Sequence, residues 1–593
     1  MKVTKRDGRQ VDFDKQKIKL AILKAFLEVD GEETSYAKDK ARDIANYIEA
    51  LDRDMSVEEI QDVIEEKLMA SNRKDIAKAY VNYRYLHNMA RDQYKELMNA
   101  ISEKLSASNV QNQNANVDEH SFGGRVGEAS DVVMKKIALD YCVSKMAREN
   151  HLNNEIYIHD LNSYAVGMHN CLSIPFDDLL ANGFNTRQTD VRPAQSINTA
   201  FQLVAVIFQI QSLQQFGGVS ATHLDWTMVP YVRKSFYKHY IDGLKYIENS
   251  DVETLLFAKT NRADYEKLSI EDECFKSNKN VYQYAIEMTE RETKQAVEGM
   301  YHNLNTLQSR SGNQLPFSSI NYGTCILPEG RMVTKAILDV SIAGTGRLHK
   351  TSIFPCGIFQ CMKGVNRAPG DPNYDLFQLA LKSTSQRLYP NYANVDWTGN
   401  AGYDVNDPRT YFSTMGCRTA NGWDINGFGQ LKDGRGNICP VTIIMPTLAM
   451  EAKDTFIINY DDSVVDVFLK ILDKKINEAK DMLLERFEWI CKQSPESAKF
   501  MYENGTMAGY IPEEGIRSAL KHGTLALGQL GLAETLQILI GCDHTTEKGM
   551  ELAKHIEQLF KDRCAEFKEQ YKLNFGVYYT PKLFGLGVAQ VTA

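Results

Sequence analysis

Apolar positions near the amino terminus recur at helical spacing. Ile18, Ala21, Ile22, Ala25 and Phe26 follow the i, i+3, i+4, i+7, i+8 pattern of a helix with one buried face. A further helix is predicted to start at Ser56, whose hydroxyl can cap the first turn while Glu59, three residues on, reciprocates. A longer one is predicted over residues 74–91. Ahead of them, two short runs meet at Asp7-Gly8, a pair that supplies the positive φ angles of a two-residue hairpin turn. Farther along, strand-like runs such as 155–159 and 441–445 alternate with helical runs such as 463–492, which predicts an α/β architecture large enough for a barrel or a wound sheet. The run 199–216 is apolar but punctuated by Gln202, Gln209, Gln211, Gln214 and Gln215, so it predicts either a buried core helix or an interaction surface.

Two stretches break the periodicity. Residues 106–124 are rich in Asn, Gln and Ser and read as a linker. Residues 390–437 form a long Gly-, Asn- and Asp-rich segment, and irregular segments of that length inside a compact domain are usually functional or disordered. The expected organisation is a small unit over 1–95, a linker and start of the larger domain over 96–124, and a catalytic-size domain over 125–593. A chain of 593 residues exceeds what one core supports, which agrees with that division. The net charge of −9 argues against binding nucleic acid through bulk electrostatics. With no run of eighteen apolar residues and no apolar leader after Met1, neither a membrane span nor secretion is expected, and the expected location is the cytoplasm. Eleven cysteines without a CxxC pair fit buried or reactive thiols better than a disulfide framework or a thiolate zinc site.

Three places carry candidate chemistry. Lys5 and Arg6 precede the hairpin turn and Lys17 opens the following helix, a set that can hold phosphates with help from a helix N-terminus, although basic surface turns are also common. Cys417, in TMGCRTANG, sits on the long irregular segment shortly before a buried strand-like run, with Arg418 beside it. Cys171, in MHNCLSIP, has His159-Asp160 and His169 nearby, which leaves a Cys-His pairing open. No serine-nucleophile elbow, P-loop, HExxH or GxGxxG is present.

The ordered set of motifs resembles the anaerobic ribonucleoside-triphosphate reductases, the glycyl-radical class of ribonucleotide reductase. VTKRDGRQVDFDKQKIKLAI at the start is similar to their ATP-cone. NQNAN at 112–116, HDLNSYAVGMHNC ending at 171, FGG at 216–218, PFSSINYGT at 316–324, RLYP at 387–390, MGCR around 417, GRGN ending at 437 and YYTP at 578–581 then follow in order. The resemblance implies a ten-stranded α/β barrel with a central finger loop, behind a small, mostly helical ATP-cone that carries an N-terminal hairpin. It implies that Cys417 becomes a thiyl radical that takes the 3′ hydrogen of the substrate ribose. Cys171 would be the second cysteine, assisting reduction with formate as co-substrate, and Asn437 would help hold formate. Val3, Lys5, Arg6 and Lys17 would hold the allosteric effectors ATP and dATP.

The same resemblance implies a glycyl radical, a zinc site, a radical-SAM iron–sulfur activating enzyme as partner and a homodimer or larger homo-oligomer, with run 199–216 as the candidate surface for a second effector site. Here the chain ends in KLFGLGVAQVTA, without a cysteine, and Gly585 and Gly587 fall in no radical motif, so no metal ligand and no radical glycine are assigned. Two alternatives stay open: a nucleotide-sensing or truncated form that retains the fold without catalysis, and another glycyl-radical enzyme.

Overall fold

The structure, a computed structural model, describes residues 1–5, 8–106, 121–309, 314–415, 419–458 and 463–579; of residues 86–94, 457–458 and 579 only the backbone is described. The chain divides into two compact units, Met1–Glu103 and Lys104–Ala593.

In the first unit, β1 (Lys2–Thr4) lies between β2 (Gln10–Asp12), antiparallel, and β3 (Met55–Ser56), parallel, so a third strand joins the expected hairpin. The Lys5 amide donates to Arg9 O at 2.8 Å and the Gly8 amide to Lys5 O at 2.9 Å. Gly8 has φ +81°, and Asp7, the first residue of the expected Asp7-Gly8 turn, lies outside the described residues. Four helices follow: α1 (Lys15–Asp30), α2 (Ser35–Ala50), α3 (Val57–Met69) and α4 (Lys74–Ser106). Ile18, Ile22, Ala25 and Phe26 are the buried face of α1, as their spacing requires. At α3 the Glu59 amide donates to Ser56 Oγ (3.1 Å) and the Ser56 amide to Glu59 Oε2 (2.6 Å), a complete capping box. The helix expected to end at 91 runs to Ser106.

The second unit is built on β4 (Ile156–Ile158), β5 (Cys171–Ser173), β8 (Val219–Ala221), β9 (Ser318–Tyr322), β10 (Cys356–Cys361), β11 (Asn391–Asn394), β12 (Gly436–Ile444), β13 (Thr524–Leu530) and β14 (Asn574–Tyr579), with β6 (Phe184–Asn185) and β7 (Asp190–Val191) paired separately. The nine strands form one sheet in the order β11-β10-β9-β8-β5-β12-β13-β14, and β4 pairs with β12. Strands β11 to β5 are mutually parallel, β12 to β14 likewise, and the two halves meet antiparallel at β5 and β12. Ten strands in a closed barrel were expected; among the described residues the sheet has nine and its end strands β11 and β14 do not pair with each other.

Strand β12 is longer than its expected 441–445 because Pro440 masks it. Pro440 falls where the partner on one side changes from β5 to β4, just past a bulge between Asn437 and Cys439, and that position needs no ladder donor. One face of the sheet is covered by helices, with Leu172, Val219, Ile320, Phe359, Leu525 and Phe575 in the apolar cores. The Gln-punctuated run forms the helix Ile197–Gln211, and its largely buried side chains place it in the core of the first half. No helix among the described residues is long and apolar enough to cross a membrane.

Candidate functional site

The other face of the sheet is polar. Side chains in register on neighbouring strands point to the same side. Cys171 is opposite Asn437, Asn437 opposite Thr524, and Thr524 opposite Asn574. In the other half Ser173 is opposite Ser220, and Ser220 opposite Ser319. Alternation adds Asn321 and Gln360 to this set. A sheet buried on both faces ordinarily carries apolar side chains on both. This row of amides, hydroxyls and a thiol must therefore meet polar partners.

Those partners are largely the backbone of the long irregular segment. Gln360 Nε2 donates to Phe412 O (3.0 Å), and Asn321 holds Thr414 from both sides, through Thr414 N to Oδ1 (3.1 Å) and Nδ2 to Thr414 O (3.1 Å). Ser220 Oγ donates to the same Thr414 carbonyl at 3.0 Å. Met415 N then donates to Thr419 O at 2.7 Å, closing a narrow antiparallel bridge. On the return, Asn421 Nδ2 donates to Arg435 O (3.0 Å) and the Ile425 amide to Asn574 Oδ1 (3.1 Å). The segment thus crosses the polar face from the first half of the sheet to the second. Cys417, with Gly416 and Arg418, lies outside the described residues, between the two bridge-forming positions.

Cys171 and Asn437 are brought face to face at the seam of the two halves. Cys171 Sγ donates to Asn170 Oδ1 (2.9 Å) and accepts from the Gly218 amide (3.2 Å), which ties it to the FGG turn. Asn437 is 1% exposed, yet among the described residues neither its Nδ2 nor its Oδ1 has a hydrogen-bond partner. The two histidines weighed beside Cys171 are engaged elsewhere: His159 Nε2 with Thr442 Oγ1 (2.7 Å) and Tyr578 OH (3.1 Å), and His169 Nε2 with Met501 Sδ (2.9 Å). Burial lowers His169 to about 4 and keeps it neutral.

Two charged clusters adjoin the polar face. Arg435, fully buried, donates to the carbonyls of His522 (2.8 Å), Gly422 (2.9 Å) and Leu431 (2.7 Å), while its Nη2 has no partner among the described residues. Asp424 accepts from His522 Nδ1 (2.8 Å) and Asn574 Nδ2 (2.7 Å). Nearby Lys432 is lowered by burial, and then by Arg435, to about 7. At the end of β8, His223 Nε2 pairs with Asp177 at 3.0 Å and Nδ1 with Thr222 Oγ1 at 2.7 Å. Burial opposes the His223 charge, but Asp177 and Asp433 outweigh it and raise the imidazole to about 9. None of these anchoring and charged residues was singled out from the sequence. Asn321 lies within PFSSINYGT, so its signal was the motif, without an indication of what the side chain does.

In the first unit Val3 lies in the centre of the three-stranded sheet, opposite Val11 and Met55, and is 9% exposed. Lys5 is half-buried at the turn. Lys17, in the first turn of α1, is exposed and lies 3.6 Å from Asp14, the residue that caps the helix. Arg6 lies outside the described residues. Among the described residues no group of three or more His, Cys, Asp or Glu is placed to hold a metal ion, and none of the ten cysteines there is in a disulfide.

Comparison with known proteins adds an independent finding. The ATP cone domain matches residues 1–89. The chain is 29% identical over 593 residues to the anaerobic ribonucleoside-triphosphate reductase of Haemophilus influenzae, covering 98% of this chain and 76% of that protein. It is 28% identical to that of Escherichia coli K12, with the same coverage, and 27% identical over 475 residues to that of Enterobacteria phage T4, covering 79% and 70%. The anaerobic ribonucleotide reductase of Thermotoga maritima, in complex with dATP and CTP, has a similar fold, with a TM-score of 0.54 at 15% identity over 83% of this chain and 75% of that one. The family model described as anaerobic ribonucleoside-triphosphate reductase matches residues 113–582, and the chain belongs to that family.

Proposed function

We propose that this protein reduces ribonucleoside triphosphates at the polar face of its sheet, with Cys417 and Cys171 acting on opposite sides of the ribose, formate as the reductant, and ATP and dATP setting the activity through residues 1–95. The observation that carries this reading is the pairing of Asn437 with Cys171: a buried amide whose two polar atoms have no partner among the described residues, next to a positioned thiol, under a segment docked on both halves of the sheet. A buried polar group without a partner costs stability, so its presence argues for a ligand that supplies the missing hydrogen bonds.

In this reading Cys417, as a thiyl radical, takes the hydrogen atom from C3′ and becomes a thiol. The 2′ hydroxyl then leaves as water with one proton. Formate provides two electrons and its hydrogen, with Cys171 assisting, and departs as carbon dioxide, after which Cys417 returns its hydrogen atom to C3′. The balance is ribonucleotide, formate and a proton in, and deoxyribonucleotide, carbon dioxide and water out. A thiol gives up and recovers a hydrogen atom at comparable cost, and a sulfur radical that survives many turnovers needs positioning and exclusion of water. A glycyl radical, introduced by a radical-SAM iron–sulfur activating enzyme, supplies the initial oxidising equivalent. Gly585 and Gly587 lie outside the described residues and receive no role. The described residues provide no set of zinc ligands, and zinc enters no step.

The two parallel halves set antiparallel are the arrangement from which a ten-stranded barrel closes, and the segment from 412 to 435 is read as its finger loop. Val3, Lys5, Arg6 and Lys17 are assigned to the effector base and phosphates, with the N-terminus of α1 adding favourable dipole. Domain limits of 1–95, 96–124 and 125–593, a cytoplasmic location and a homo-oligomeric assembly complete the reading. An anaerobic assay of the activated protein with CTP and carbon-14 formate tests it. Labelled carbon dioxide and dCTP should appear in equal amounts, and Cys417→Ala should abolish both; dCTP without labelled carbon dioxide would remove formate from the scheme. Loss of dATP inhibition in Lys5→Ala would support the effector assignment.

A further inference from the structure

The row that begins with Cys171 and Asn437 continues to Thr524, which is in register with Asn437 on the next strand. Thr524 is 9% exposed and its Oγ1, like both side-chain amide atoms of Asn437, has no hydrogen-bond partner among the described residues. Adjacent strands lie about 4.8 Å apart, so an amide and a hydroxyl on the same face of neighbouring strands form a pair of donors across that gap. The two oxygens of a single carboxylate can bridge such a pair, one accepting from Asn437 Nδ2 and the other from the Thr524 hydroxyl.

Charge favours the same ligand. Arg435 precedes Asn437 by two residues, and its guanidinium donates to the carbonyl of His522, two residues before Thr524. Among the described residues its Nη2 is buried without a hydrogen-bond partner, and Asp424 is the carboxylate that acts on it. Lys432, buried beside it, is spent on Asn421 O and Gln430 Oε1, so the donor left over at this corner is that of the Arg435 guanidinium, which suits a small anion better than a neutral hydroxyl alone.

We infer that Thr524 completes, with Asn437 and in the field of Arg435, a two-point subsite for a small carboxylate, which is formate if the reaction proposed above is correct. Thr524 binds the carboxylate and takes no part in hydrogen transfer. This inference rests on that reading for the identity of the ligand, so its test is binding and does not require turnover.

Saturation-transfer NMR on the full chain, titrating sodium formate in the presence of CTP, reads the affinity directly. Thr524→Val removes the hydroxyl at nearly constant shape and should weaken formate by roughly tenfold, the effect of one hydrogen bond to a charged group. Thr524→Ser should return it to within about twofold, CTP binding should stay unchanged in both, and the thermal midpoint of the Val variant should be unchanged or raised, since the hydroxyl it removes is buried without a partner among the described residues. If the Val variant binds formate like the parent, the inference is overturned while formate binding itself stands. Equal loss of CTP binding in that variant would also overturn it, because the hydroxyl would then serve the nucleotide or the fold. If the parent shows no formate binding, formate falls as the reductant and this subsite falls with it.

Discussion

Asn437 faces Cys171 across the antiparallel seam that joins the two halves of the sheet, and among the described residues the thiol has hydrogen-bond partners while the side-chain amide has none. The asymmetry separates a positioned reactant from a group that waits for one. It also yields a stability prediction opposite in sign to the functional one. Replacing Asn437 by Leu removes two unpartnered buried atoms, so urea unfolding should show stability unchanged or raised by about 1 kcal/mol, while anaerobic turnover falls by about tenfold or more. A large destabilisation would mean that the amide is structural.

Thr414 is held by Asn321 and Ser220, which makes Asn321 the principal clamp of the segment that leads to Cys417. Asn321→Ala should leave the Thr414 amide without its acceptor at a cost of about 2 kcal/mol. Hydrogen exchange should show faster exchange confined to residues near 412–415, with reduced turnover. Unchanged protection of the Thr414 amide would place the clamp elsewhere.

His223 and Asp177 predict a pH window. His223 is raised to about 9 against its burial by Asp177 and Asp433, so the stability it contributes is complete below 6.5 and is lost as pH rises through about 9. Asp177 is lowered to about 2, because His223 and Thr227 overcome its desolvation; its contribution is present above 3.8 and is lost as pH falls through about 2. The difference in urea stability between the parent and Asp177→Asn should therefore be largest from about pH 4 to 6.5 and should shrink toward pH 9. A difference that grows above pH 7 would contradict the pairing.

In the first unit, Ser56→Ala removes one half of the capping box at α3 and should cost about 1 kcal/mol. The readout is hydrogen exchange in the full chain: amides of Val57–Met69 should exchange about fivefold faster, while those of β9 and β12 stay unchanged. No change in α3 would mean that tertiary packing alone sets its N-terminus.

What the sequence determined by itself was local. Ser56 and Glu59 meet within one turn, and Ile18, Ile22, Ala25 and Phe26 share a face because a helix repeats every 3.6 residues; such features need no distant partner. The long irregular segment around Cys417 was legible for the same reason, as a run without any period. Strands β5 and β8 are three residues each, too short to show alternation, so their place at the centre of the sheet was not readable. Only the tertiary structure decided that Cys171, Asn437 and Thr524, which are 266 and 87 residues apart along the chain, stand in one row. Register is a property of paired strands, and whether a buried amide has a partner depends on every element packed around it.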